Sequence, residues 1–344
     1  LRLWGDFPVI TTVADDITSE NIDEVYPQYF PKQNTELEAY QQIEKDLLDA
    51  VLYAPDNTPG NKTLFTKSVA RTLLAKIYAE KPLRDYTKVI QYCDEVKADG
   101  FDLVDDFSDL FGMNAAGTDA KMRNTKESIL EAQFTSGAGN WCTWMFGRDL
   151  VNWNNNFTWA KWVTPSRDLI SAFKQEGDEV RFKESIVYYD CNWSNYYPSD
   201  NYPFMYKCRS ANSSIIKYRY ADVLLLKAEA LIMQDTPDLE GAADIIDKVR
   251  DRAKLGALPT SVRSNKNAML NALLKERRLE LAFEGQRWFD LVRLDKVEEV
   301  MNAVYAKDSG RKAQIYTFDK NSYRLPIPQS VIDANDKIHQ NPGY

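Results

Sequence analysis

The residues most able to do chemistry crowd into one stretch: Glu276, Arg277, Arg278, Glu280, Glu284, Arg287 and Asp290. Helical spacing of Glu280 and Glu284, four apart, places both carboxylates on one face within reach of each other. Two carboxylates roughly 5–9 Å apart are the equipment of a glycoside hydrolase. The opposing reading is a network of ion pairs that locks a helix end, with Arg277, Arg278 and Arg287 neutralising the acids. Structural networks of this kind imitate the charge pattern of an active site. The ion-pair reading is favoured, because nothing else completes a catalytic constellation and no catalytic residue is assigned. A single histidine, His339, excludes a multi-histidine metal site. The four cysteines, Cys93, Cys142, Cys191 and Cys208, form no CxxC pair. No phosphate, dinucleotide or calcium loop is complete, so neither a metal nor a cofactor is expected.

A second concentration of unusual residues offers binding chemistry instead. Between Asn140 and Trp162 lie Trp141, Trp144, Trp153, Trp159 and Trp162, interleaved with Asn152, Asn154, Asn155 and Asn156. Further on, Trp193, Tyr196 and Tyr197 sit in a stretch rich in tyrosine, asparagine and aspartate. A pyranose ring has an apolar face that the flat side of an indole or phenol covers at little entropic cost. Its hydroxyl edge suits planar amides, carboxylates and guanidinium groups. The candidate ligand-binding residues are therefore Trp141, Trp144, Arg148, Asp149, Trp153, Asn154, Asn155, Trp159, Trp193, Tyr196 and Tyr197. Buried packing is the ordinary fate of any one tryptophan. The run Asn152-Trp153-Asn154-Asn155-Asn156 follows neither helical nor strand periodicity, so at least one or two of these rings are expected at the surface.

The elements that position these residues read as mainly α. Thr35 and Glu38 form a capping-box pattern, followed by Tyr40, Ile43, Leu47 and Val51 at helical spacing. Val69, Ala70, Leu73, Leu74, Ile77 and Tyr78 mark a second helix. Tyr86, Val89, Ile90, Cys93 and Val96 mark a third, ended near Gly100. After residue 215 one stripe runs through Ile216, Tyr220, Val223, Leu224, Ala228 and Leu231. The next starts at Thr236-Pro237 and carries Ile245, Ile246, Val249 and Ala253. A long helix bears Leu270, Leu273, Leu274, Leu281 and Ala282. Paired helices with small residues at the contact predict tetratricopeptide-like helical hairpins packed against a loop-rich subdomain with a few short strands. Residues 128–135 alternate like a strand, and residues 165–173 predict one short helix. Three regions follow: a helical hairpin region over 1–110, a variable loop-rich ligand-binding region over 111–214, and a C-terminal helical hairpin region with an extended tail over 215–344.

Charge and hydropathy narrow the function further. The 344 residues hold 43 Lys and Arg against 51 Asp and Glu, a net charge of −8. That argues against nucleic acid, which needs a concentrated basic face. No apolar run approaches the length of a membrane span. The chain opens Leu1-Arg2-Leu3-Trp4-Gly5, with no initiator methionine and no signal core, so a preceding portion is expected.

The run Glu276-Arg277-Arg278-Leu279-Glu280-Leu281-Ala282-Phe283-Glu284-Gly285-Gln286-Arg287-Trp288-Phe289-Asp290-Leu291 resembles the signature of the SusD/RagB family. Leu3-Trp4-Gly5-Asp6-Phe7-Pro8, Tyr218-Arg219-Tyr220-Ala221-Asp222, Leu325-Pro326-Ile327-Pro328-Gln329 and Gln340-Asn341-Pro342-Gly343-Tyr344 are similar to the same family in the expected order. The resemblance implies a non-catalytic nutrient-binding lipoprotein of the outer membrane, lipid-anchored at the cell surface. It implies capture of an oligosaccharide beside a SusC-like TonB-dependent transporter, with ligand contacts in the variable loops. The anchor would lie outside this sequence, since family members carry a signal peptide, a lipidated cysteine and early helices. Peptide binding, as in one branch of the family, is the first alternative, and hydrolysis through Glu280 and Glu284 the second.

Overall fold

A computed structural model describes residues 1–135, 139–140, 164–191, 197–307 and 317–344. In chain order the helices are α1 (Ile22–Val25), α2 (Glu36–Tyr53), α3 (Lys67–Ala79), α4 (Tyr86–Ala98) and α5 (Ser108–Phe111). Then come α6 (Arg167–Glu176), α7 (Glu179–Ser185), α8 (Tyr220–Met233), α9 (Leu239–Arg252), α10 (Thr260–Arg263) and α11 (Lys266–Glu280). The last are α12 (Arg287–Arg293), α13 (Val297–Lys307) and α14 (Gln329–Ala334). Strands β1 (Ser128–Ala132) and β4 (Ile215–Arg219) pair antiparallel, as do β2 (Ile186–Tyr189) and β3 (Tyr202–Met205). The protein is mainly α, as the helical periodicities require. Among the described residues no helix is long and apolar enough to cross a membrane.

Two compact units divide the chain. One holds Leu47–Ala79 and Asp85–Arg287. Here α3 packs on α4, α4 on α8, and α8 on both α9 and α11. Helix α8 is the hub: Tyr220, Ala221, Val223, Leu225, Ala228, Ala230 and Ile232 are all buried, and a helix apolar on nearly every side belongs inside. Alanines at Ala70, Ala75, Ala228, Ala242 and Ala243 are fully enclosed and allow the close approach of neighbouring helices. Caps define the ends. Asp85, Ser166, Asp178, Asp238 and Asn265 each accept a backbone N–H from the first turn of α4, α6, α7, α9 and α11 respectively. Helix α6 closes on Gly177, whose φ of 70° is the left-handed cap, and Asp178 then starts α7 directly.

The other unit comprises Leu1–Asp46, Glu80–Arg84 and Trp288–Tyr344. Its apolar centre is Leu291, Val292 and Val297, covered by Trp288, Met301, Phe318 and Tyr323. The predicted capping box is present, with Thr35 N–H donating to Glu38 and Glu38 N–H to the Thr35 hydroxyl at 2.8 and 3.2 Å. The tail is tied down by its polar residues. Gln340 exchanges two hydrogen bonds with the Ile327 backbone (2.8 and 2.9 Å), and Asn341 donates to the carbonyls of Trp4 and Leu325 (3.0 and 2.7 Å). The run Gln340-Asn341-Pro342-Gly343-Tyr344 is thus a fastening for the chain ends.

Four sequence readings need correction, the first being the long helix, which ends at Glu280 before Leu281 and Ala282. Ile216 lies on β4, not on the stripe of α8, because the β-branched and aromatic run Ile215-Ile216-Lys217-Tyr218 pairs with β1 before the helix begins at Tyr220. Helix α9 starts after Asp238, two residues beyond Thr236-Pro237, where an aspartate rather than a proline supplies the cap. The interior also contains more than one short helix, since α5 and α7 and the β2–β3 hairpin join α6.

Gly177 has open space where a Cβ would lie, so substitution there tests backbone conformation alone. Gly177→Ala is expected to lower unfolding free energy by about 1 kcal/mol, the ordinary cost of a left-handed residue with a side chain. An unchanged urea midpoint would show that the α6–α7 junction relaxes freely.

Candidate functional site

Helix α11 ends at Glu280, and residues 281–285 turn away through Phe283 (φ 66°) and Gly285 (φ 74°). Glu280 and Glu284 therefore do not share a helix face. Both are nevertheless drawn to the same cation. Arg219, at the end of β4, forks onto Glu284 through Nε and Nη2 (2.7 and 2.8 Å) and reaches Glu280 (2.5 Å) and Glu127 (2.7 Å) through Nη1. Arg252 bridges the same Glu127, at 2.6 Å, to Glu280. Arg181 joins Glu276 (2.6 Å), Glu280 (3.1 Å) and Asp178 (2.5 Å). Lys207 Nζ donates to Glu284 (2.6 Å) and to the Glu280 carbonyl (2.9 Å).

The ion-pair reading of this cluster holds, with different cations from those expected. Arg277 pairs with Asp222 at 2.8 Å, and Arg278 with Asp168 at 2.6 Å. Arg287 donates to the Leu274 carbonyl of α11 at 2.8 Å. Burial pushes the Glu280 carboxyl up, but Arg252, Arg219, Arg181 and Lys207 together hold it well below the usual carboxylate range. Glu284 is likewise kept low by Arg219 and Lys207 against its burial. Burial wins at Glu276 and Asp178, whose carboxyls are raised despite Arg181. Burial also lowers the Lys207 ammonium to about 8, against the pull of Glu284. Glu280 is wholly buried, and each of its oxygens already accepts from an arginine. A carboxylate in that state has neither proton nor lone pair within reach of a sugar, which removes the geometric basis for hydrolysis through this pair.

The binding candidates stand elsewhere. Trp141, Trp144, Arg148, Asp149, Trp153, Asn154, Asn155, Trp159, Trp193 and Tyr196 lie outside the described residues. Tyr197 is described, half-buried, with its hydroxyl donating to the Pro165 carbonyl at 2.6 Å. Its ring stands edge-on to Tyr202, centroids 5.7 Å apart, and the Arg167 guanidinium lies 5.3 Å from its centre. Thr164 bonds the Tyr202 hydroxyl at 2.6 Å. The residues that bound the two aromatic-rich stretches are thus anchored to one another. At their other ends Asn140 N–H donates to the Ala211 carbonyl (2.6 Å), and Cys191 N–H to the Ser199 carbonyl (2.5 Å).

Beside this clamp runs an open groove of about 470 Å³. One wall is a single face of α6, carrying Arg167, Ile170, Ser171, Lys174 and Gln175 at helical spacing. The other is Tyr188 on β2 with Tyr197, Pro198 and Asn201 of the β2–β3 connection. Rings, two amides, hydroxyls and two cations line it, a mixture suited to an amphipathic ligand rather than an apolar one. Of its members only Tyr197 was among the candidate ligand contacts, with Tyr188 and Asn201 in the same tyrosine- and asparagine-rich stretch, and the α6 face was missed. The signal lay in the polar positions 167, 171, 174 and 175 of a helix whose opposite face, Leu169 and Phe173, is core.

The profile of the SusD family matches residues 197–344. SusD-like protein P2 of Formosa agariphila is 28% identical over 393 residues, which cover the whole chain and 71% of that protein. SusD-like protein P38 of the same organism is 42% identical over 99 residues, 27% of this chain and 19% of its own. A SusD-superfamily structure from Bacteroides vulgatus superimposes with a TM-score of 0.75 at 19% identity, covering 100% of this chain and 74% of that one. A laminarin-binding SusD-like protein gives 0.71 at 24% identity, covering 100% and 75%. These two solved structures are similar in fold, and the matches together bear out the family resemblance carried by the motifs.

Removing Glu280 would strand arginines in the interior. Glu280→Gln is expected to cost about 3–5 kcal/mol in urea unfolding, the penalty of breaking a buried pair from one side. Unchanged stability would contradict this reading of the network. Acid should act in the same direction. The carboxyls of Glu280, Glu284 and Asp222 are held below their unfolded values, so their contribution is complete above the unfolded pKa and lost as pH falls through the folded one. The raised carboxyls of Glu276 and Asp178 work the opposite way and offset part of the loss. The urea midpoint is expected to drop steeply below about pH 4, near the ordinary carboxylate value; a flat profile between about pH 6 and pH 3 would refute it.

Proposed function

From this SusD/RagB kinship we propose that the chain binds oligosaccharides or polysaccharides without transforming them. In this reading residues 111–214 form the ligand-binding region and residues 276–291 serve as framework. The observation that carries the proposal is the clamp at Tyr197 and Pro165. It joins the ends of two stretches unusually rich in tryptophan, tyrosine and asparagine, next to a groove that presents rings and planar polar groups. The laminarin-binding relative of the same fold supports a saccharide over a peptide. Trp141, Trp144, Trp153, Trp159, Trp193, Tyr196 and Tyr197 are proposed to stack on sugar rings, with Arg148, Asp149, Asn154 and Asn155 contacting hydroxyls. The setting proposed is the cell surface of the outer membrane, with a lipid anchor outside this sequence and delivery to a SusC-like TonB-dependent transporter.

Shallow, preformed saccharide platforms bind weakly, at about micromolar to millimolar Kd. Calorimetry against a panel of neutral and charged polysaccharides is expected to find at least one ligand in that range. Tyr197→Ala should weaken it about tenfold, since the change removes both a groove-lining ring and the hydrogen bond to Pro165. No saccharide binding, together with tight peptide binding, would overturn the proposal. So would new reducing ends released from any glycan on incubation.

A further inference from the structure

The groove beside α6 differs in charge from the rest of the protein. The chain carries a net charge of −8, yet among the described residues those lining this groove include Arg167 and Lys174 and no carboxylate. Both are exposed and lie seven residues apart on one helix face, about 10 Å along its axis. Of the two acids on the helix, Asp168 pairs with Arg278 at 2.6 Å, and Glu176 with Arg250 at 2.6 Å and with Lys275. Ser171 and Gln175 lie along the same face and bond each other at 3.2 Å, so they offer hydroxyl and amide groups. Opposite them are the rings of Tyr188 and Tyr197, the second with Arg167 held over it. Two cations spaced along a strip of rings match a ligand that is itself a chain of rings bearing anions at intervals. Guanidinium and ammonium groups bind carboxylate and sulfate oxygens through charge-assisted hydrogen bonds, which are stronger than those to a neutral hydroxyl.

We propose that this groove selects acidic saccharides, Arg167 and Lys174 pairing with the carboxylate or sulfate groups of a glycan whose rings lie against Tyr188 and Tyr197. This rests on the saccharide-binding reading above and specifies its substrate class.

The test measures binding of polygalacturonate, dextran sulfate and uncharged dextran, beside the neutral glycans of the panel, at low and at raised salt. At least one acidic polymer is expected to bind ten or more times more tightly than any neutral glycan, with affinity falling as salt rises. Polygalacturonate and dextran sulfate distinguish carboxylate from sulfate recognition. Arg167→Gln/Lys174→Gln should weaken the acidic ligand at least tenfold while the protein still melts cooperatively, with at most a small loss of thermal stability from the Arg167–Tyr197 contact. The control Lys97→Gln/Lys266→Gln removes the same charge from exposed positions of the same unit that do not line the groove and should retain binding. Equal loss in the control would reduce the effect to general attraction of polyanions and overturn the proposal. Binding of neutral glycans alone would overturn it while leaving the saccharide reading intact. Binding of no saccharide of either class would overturn both.

Discussion

Arg219 is the charge around which the larger unit is arranged. Fully buried, it touches Glu127, Glu280 and Glu284, residues that precede β1, end α11 and follow α11. A guanidinium cannot shed its proton, so its burial is tolerable only where several acceptors converge on its fork. That requirement couples the β1–β4 pairing to the end of α11. The Tyr220 N–H bonded to the Glu127 carbonyl at 2.9 Å closes the same corner through the backbone. Arg252 and Arg181 extend the network to α9 and α7, and Phe107 lies under both Arg219 and Arg252. The order of these elements is specified by charge as much as by apolar packing.

Such a centre explains why the acidic and basic residues of 276–291 look catalytic in one dimension. Their number and spacing match a hydrolase, but their solvation does not. The carboxylates of a hydrolase need one oxygen free to meet a substrate and a proton that can leave. Glu280 has every oxygen engaged by cations and no solvent contact. Density of charge in a sequence is therefore a poor guide to function until the counter-ions are known.

Much of the architecture was readable from periodicity and caps. The stripes over α3, α4, α9 and α11 and the Thr35–Glu38 box are local properties, set within a few turns of chain. What escaped depends on distance. The cations that satisfy Glu280 stand 28, 61, 73 and 99 residues away, at Arg252, Arg219, Lys207 and Arg181. No spacing rule connects such partners. Ile216 was drawn into a helical stripe because an apolar residue fits either period, and only the pairing with β1 decides. The α6 face was invisible for a related reason: its polar positions become a wall only once β2 and Tyr197 lie opposite.

The anchors around the aromatic-rich stretches carry a corollary for substitution. At three of the four boundaries the accepting atom is a main-chain carbonyl, of Pro165, Ala211 or Ser199. The bonds at Asn140 and Cys191 are main-chain on both sides and survive replacement of the side chains, whereas the third depends on the Tyr197 hydroxyl. At those two boundaries the helical body holds the chain through peptide groups alone, which every residue type except a donor-lacking proline supplies.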